Sequence, residues 1–168
     1  MANKYDALNR YLSNGAQKDA LQDYTVPHGG VDVYNVLATK KEPKPEGYTS
    51  FLEFWMDRTG EEVDDCSSTA NHICKSGKRA ETDEIVGAHV RIVGISCPSD
   101  WAWIVPLCKK CNNDDNIRPI RIPQGARLVA IHMSKAHKDA SQLTEEEKAI
   151  VLERLMIENL ANLCKRFH

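Results

Sequence analysis

Six cysteines hold most of the chemistry available to this chain: Cys66, Cys74, Cys97, Cys108, Cys111 and Cys164. Cys108-Lys109-Lys110-Cys111 is a C-x2-C pair, the spacing of a metal knuckle or of a redox dithiol. Redox pairs sit where a strand runs into a helix, usually with apolar or small residues between the thiols. Here two lysines intervene, and their charge favours thiolates under either reading. Cys66 and Cys74 upstream tip the balance towards metal, because zinc takes four tetrahedral thiolate or imidazole ligands, commonly from two sequence-local pairs. The gap between Cys66 and Cys74 is wider than an ordinary knuckle, and His72 is an alternative ligand in place of either. The expected site is a structural Zn²⁺ on Cys66, Cys74, Cys108 and Cys111, closed to substrate, whose binding energy becomes folding energy. Cys66 also suits the part of a buried small apolar residue, and Cys97 and Cys164, beside apolar segments, take that part.

Imidazole is the second resource. His89 lies in Gly87-Ala88-His89-Val90, where strand alternation turns its side chain away from those of Ala88 and Val90. It reads as a core histidine bonded to backbone, as a metal-linked or catalytic group, or as a zinc ligand. His132 follows Ile131 on an expected strand and reads as a surface or core residue. His28, His137 and His168 sit in polar surroundings and point to no site. A Cys/His nucleophilic pair is formally available, but thiolates committed to zinc serve it poorly.

Two basic clusters flank the cysteines. Lys109, Lys110, Arg118, Arg121 and Arg127 stand against Asp114 and Asp115, and Lys75, Lys78 and Arg79 follow Cys74. Each alone is an ordinary solvated loop; together they suit a phosphate backbone, with affinity that falls steeply with salt. Trp101 and Trp103 could stack on bases, although aromatics at i and i+2 ordinarily share one packed strand face.

These residues need elements to position them. The chain has 168 residues with 22 Lys plus Arg against 24 Asp plus Glu, a formal charge of −2, and 42 % hydrophobic residues. That balance fits one globular core and excludes collagen-like and wholly disordered chains. It lends no support to a broadly basic nucleic-acid binder, so any such surface is local. No apolar run is long enough to span a bilayer. The start, MANKYDALNR, lacks a hydrophobic signal region, and a reducing, cytoplasmic setting without membrane contact is expected.

Tyr5, Leu8 and Leu12 predict a short helix over 4–13. Val31–Leu37 predicts a strand, and the proline- and charge-rich 40–47 a solvated linker. Ser50 with Glu53 predicts a capped helix that stops at Gly60. Glu84–Val93 and Trp101–Leu107 read as extended, as does Ile117–Met133, broken by Pro119, Pro123 and Gly125. Thr144 with Glu147 opens a long helix to about Lys165, whose stripe of Ala149, Leu152, Leu155, Met156, Leu160 and Leu163 needs a covering surface. The protein's own core is the expected cover; self-association through this helix is the alternative.

From Cys66 to Asn112 the order is a cysteine pair, a strand bearing His89, a second strand, and Ile104-Val105-Pro106-Leu107-Cys108-Lys109-Lys110-Cys111-Asn112. Over these 47 residues the chain resembles the HNH nucleases, whose ββα-metal motif is often stapled by zinc. In the zinc-stapled members a cysteine pair precedes an Asp-His-Ile strand, and a segment like Asn-Leu-x-x-Leu-Cys-x-x-Cys-Asn follows. The resemblance implies a treble clef, with a polar helix opening at Cys111. It implies His89 as general base on water and Asn112 as ligand to a catalytic Mg²⁺ or Mn²⁺ that stabilises charge at the scissile phosphate. Asp114 or Asp115 would supply further oxygens. Ala88 stands where the family carries a metal-holding side chain before the base, and Trp103 where it carries an asparagine.

The expected architecture is therefore one α+β domain. Residues 1–60 form an N-terminal helix–strand segment with a linker, 61–133 a zinc-stapled HNH-like module, and 134–168 a C-terminal amphipathic helix. Two functions follow from the resemblance: a divergent, bacterial or phage metal-dependent endonuclease acting on DNA or RNA, or a catalytically silent zinc module that binds nucleic acid or protein. Under the first, Lys109, Lys110, Arg118, Arg121, Lys78 and Arg79 position the phosphate backbone.

Overall fold

A computed structural model describes residues 21–63, 65–68 and 84–166. The helix expected over 4–13, together with His72, Cys74, Lys75, Lys78 and Arg79, lies outside them.

The described residues form a mixed α/β structure. In chain order these are β1 (Tyr24–Thr25), β2 (Val31–Asn35), α1 (Phe51–Thr59), β3 (Ile85–Ile92), β4 (Trp101–Cys108), β5 (Ile120–Ile122), β6 (Arg127–His132) and α2 (Glu145–Arg166). The strands make one sheet in the order β1-β6-β4-β3-β2-β5, antiparallel at every pairing. At its centre β3 and β4 pair from Ile85 opposite Cys108 to Val90 opposite Trp103.

Strand alternation sorts the side chains of this central pair onto two faces. Ala88, Val90 and Ile92 join Trp103, Val105 and Leu107 in a core completed by Val31, Val33, Ile120, Ile122 and Leu128. The sheet curls around this first face, and Cys66, Cys108 and Cys111 belong to the same cluster. The second face carries Ala102 and Ile104, and on it Phe51 and Trp55 of α1 pack with Val129 and Ile131.

The sequence signals around α1 are borne out. Ser50 Oγ accepts from the Glu53 amide at 3.0 Å, Glu53 bonds back to Thr49, and Gly60 ends the helix at φ 70°, in the left-handed region. Gly87 decides how closely the helix approaches. A Cβ there would lie 2.5 Å from backbone atoms of Phe51 and Leu52, so the first turn of α1 sits directly on the β3 backbone. Trp55 fixes the other end by donating Nε1–H to the Arg127 carbonyl at 2.8 Å.

Three segments differ from expectation. Residues 109–116 form turns, where a polar helix was expected after Cys111. The Asn/Asp-rich run satisfies its own backbone: Asn116 Nδ2 donates to Cys111 O at 3.0 Å, and Asn113 Oδ1 accepts from the Asp115 amide at 2.9 Å. Asn35 on β2 adds a bond to Cys111 O at 2.7 Å, and such side-chain bonds displace helical ones. The 40–47 segment is not wholly solvated, because Glu42 is buried against His137. Third, α2 starts at the expected Thr144–Glu147 capping box, yet none of its residues is buried. Among the described residues both sheet faces are already covered, one by the curl and one by α1, and the apolar stripe of α2 meets neither. Among the described residues no helix is long and apolar enough to cross a membrane.

Candidate metal centre

Cys108 is the last residue of β4, Cys111 follows in the knuckle turn, and Cys66 approaches from a segment laid beside β4. The Ser67 amide donates to Pro106 O at 2.9 Å, which holds that segment in place. The Asn112 amide donates to Cys108 O at 2.9 Å and closes the knuckle. The three Sγ atoms lie within 4.8 Å of one another, and all three residues are buried. Among the described residues this is the one cluster of three Cys, His, Asp or Glu ligand atoms at that separation.

Proton sharing inside the cluster follows from its crowding. Cys66 is held down to about 5 chiefly by the Cys111 thiol, against the opposing effect of burial, with help from the Cys108 and Ser68 amides. Cys111 is pushed far up because its thiol serves Cys66, because it is buried, and because a second thiolate would face the first. Such a site tolerates one negative charge unaided; three thiolates require a cation among them. Three convergent buried thiolates fit Zn²⁺, for which a tetrahedral shell asks one ligand more. Cys74 and His72, the two alternatives for that ligand, lie outside the described residues.

His89 lies on the α1 side of the sheet, under Phe51. It pairs with Ile104, while Cys108 pairs with Ile85, so the imidazole is displaced about 13 Å along the strand from the knuckle. Its ring meets Phe51 edge-on with centroids 4.4 Å apart, and its Nε2 is buried without a hydrogen-bond partner. Burial drives its pKa down to about 4, so the ring is neutral at ordinary pH. A general base must be neutral, but it must also reach water, and His89 is 3 % exposed.

Asn112 is half-buried beside the knuckle. Asp114 accepts from the Ala38 amide at 3.3 Å, and Asp115 takes Arg154 at 2.7 Å. Among the described residues no hydrogen bond or ring contact joins His89 to Asn112, Asp114 or Asp115, so the oxygens that a catalytic cation needs are not gathered at the base.

The basic residues divide. Lys109, Lys110 and Arg118 are exposed around the knuckle. Lys109 contacts Glu84 at 2.9 Å, and Arg121 is tied to Asp32 at 2.9 Å. Trp103 is fully buried, with Nε1–H given to Gln22 O at 3.1 Å, so it cannot stack on a base. Trp101 leans on His132 at 4.9 Å between centroids. Cys97 is half-buried and pushed up to about 11 by burial, whereas Cys164 is exposed on α2 and is no core residue.

Two buried polar centres escaped the sequence reading. His137 Nε2 meets Glu42 Oε1 at 2.6 Å, and Glu42 also accepts from the amide and hydroxyl of Ser134 at 2.9 Å each. Burial would raise the Glu42 pKa, but the bonds from Ser134 and His137 outweigh it and hold the carboxyl below its usual range. Arg91 donates to Ser99 O at 2.7 Å, His137 O at 2.9 Å and Trp101 O at 3.1 Å, with Asp139 3.4 Å away. One signal was available: an arginine inside Val86–Val93, an otherwise apolar strand, needs internal acceptors.

Comparison with protein-family models, with curated proteins and with solved structures finds no match for this chain.

Proposed function

We propose that the chain is a zinc-stapled, HNH-like module that binds nucleic acid through the knuckle and lacks hydrolytic activity. The carrying observation is the convergence of the Cys66, Cys108 and Cys111 sulfurs at the end of the β3–β4 hairpin. In this reading they hold one Zn²⁺, with Cys74 or His72 as the fourth ligand. The ion is structural: it clamps the 65–68 segment and the knuckle onto the end of the central strands and presents Lys109, Lys110 and Arg118 together. These cations suit a phosphate backbone, and the lysine stems reach it without a deep pocket.

Hydrolysis is left out of this reading because His89 is sealed under Phe51 and because Ala88 offers no oxygen to a cation. The nuclease alternative makes a distinct prediction: plasmid would be cut with Mg²⁺ or Mn²⁺ and spared by His89→Ala.

The test has three parts. Metal analysis after exhaustive dialysis is expected to find one zinc per chain, and Cys108→Ala to lose it. Gel shifts across a salt series are expected to weaken steeply as salt rises, more steeply for wild type than for a Lys109→Ala/Lys110→Ala/Arg118→Ala variant. Plasmid incubated with either cation is expected to stay intact. A metal-free chain overturns the whole reading, a flat salt response overturns the phosphate contacts, and His89-dependent cleavage restores the nuclease.

A further inference from the structure

The unclaimed feature of the fold is the outer side of α2. This 22-residue helix touches the body along Glu147, Lys148, Val151 and Leu155, which are half-buried, and through Arg154 with Asp115. At 3.6 residues per turn, Ala149, Leu152, Met156, Leu160 and Leu163 line a separate face turned away from that contact. Leu152, Met156, Leu160 and Leu163 are each at least 50 % exposed. A continuous apolar seam of this kind marks a contact surface.

We infer that this seam joins a second copy of the chain in an antiparallel, two-fold pair with Met156 on the axis. Three features select that occupant and that direction. The centre of this face mirrors about Met156, since Ala149, Leu152, Met156, Leu160 and Leu163 step by 3, 4, 4 and 3, with Ile150 and Ile157 exposed on its flank. A two-fold axis there sets Leu152 against Leu160 of the other copy, Ala149 against Leu163, and Met156 against itself, each contact occurring twice as an isologous interface requires.

Charge follows the same register. The first turn is acidic, Glu145 to Glu147, and the last is basic, Lys165 and Arg166. With Met156 on the axis, the acidic first turn of one copy lies beside the basic last turn of the other, with Glu145 and Arg166 nearest the seam. A parallel pair would instead set acid on acid and base on base. Finally, antiparallel packing opposes the two helix dipoles.

The pairing is independent of the zinc reading, so its test uses the full chain as purified and records metal content throughout. Light scattering from about 1 to about 500 µM, a range that spans modest interfaces, is expected to show reversible doubling of the monomer mass. Met156→Lys puts two cations on the axis and is expected to leave a monomer with unchanged circular dichroism and metal content. Glu145→Lys is expected to weaken the dimer about 10-fold or more, and adding Arg166→Glu to restore it, since opposite charges then face each other again.

Cross-linking reports direction. In the antiparallel register the two Cys164 residues are about 24 Å apart along the axis, beyond a short bismaleimide, whereas Met156→Cys links to itself. A monomer at every concentration overturns the inference. A Cys164–Cys164 link, or a charge swap that fails to restore pairing, overturns the antiparallel register.

Discussion

At the open end of the central hairpin three thiols gather at a point; further along the sheet the buried polar groups include His89, Arg91, Glu42 and His137. The second set is neutralised from within. Arg91 finds three carbonyls and Asp139, Glu42 finds His137 and Ser134, and His89 gives up its charge. The first set has no such resource, since thiols supply neither good acceptors nor a counter-charge to one another. A protein can bury polarity by closing its own hydrogen bonds or by gathering groups whose chemistry suits an ion, and the two regions differ in this way.

On the zinc reading, removing the ion breaks this contrast most severely. Cys111→Ser, or a strong chelator, is expected to remove structural-zinc binding energy on the order of 10 kcal/mol and to lower the melting temperature by more than about 10 °C. Calorimetry with metal analysis reads both, and a variant that keeps its zinc would remove the contrast. In the second set, Arg91→Met leaves Asp139 and three carbonyls without their cation and is expected to cost about 3–5 kcal/mol in urea unfolding.

Acid probes the same set more finely. His89 has a folded pKa of about 4 against an unfolded value near 6.5. The folded state therefore binds fewer protons between these limits, and stability rises with pH there. The contribution is complete above about pH 6.5 and lost as pH falls through about 4, a change of about 3 kcal/mol. His89→Leu is expected to flatten this acid limb relative to wild type, and an unchanged limb would mean that the imidazole takes up its proton freely. Glu42, held low, adds a loss of the same sign at more acidic pH. The smallest effect concerns α1, whose packing seals His89: Ser50→Ala is expected to cost about 1 kcal/mol by thermal unfolding, with zinc retained.

Much of the framework was legible because it is local. Ser50 with Glu53 and Thr144 with Glu147 each close a hydrogen bond within one helical turn, so residue type and spacing suffice. The strand limits around Ile85–Ile92 and Trp101–Cys108 follow from their apolar, β-branched character. The knuckle spacing of Cys108 and Cys111 was equally plain. The same local reading failed at Asn112–Asn116, where side chains took the bonds that a helix would have made. At the candidate site it identified the histidine but could not tell that Phe51 would lie over it.

What residue order alone determined in this protein is the set of short-range closures: the caps, the strand periodicity and the C-x2-C turn, each completed by neighbours a few positions away. Only the tertiary structure decided which buried groups meet. Cys66 reaches the Cys108 amide across 42 residues, and Glu42 reaches His137 across 95. It also decided that His89 is neutral and that the α2 seam lies apart from the sheet. Both are consequences of area: a sheet has two faces, and once the curl and α1 had covered them, the apolar pattern of α2 found no further sheet surface among the described residues.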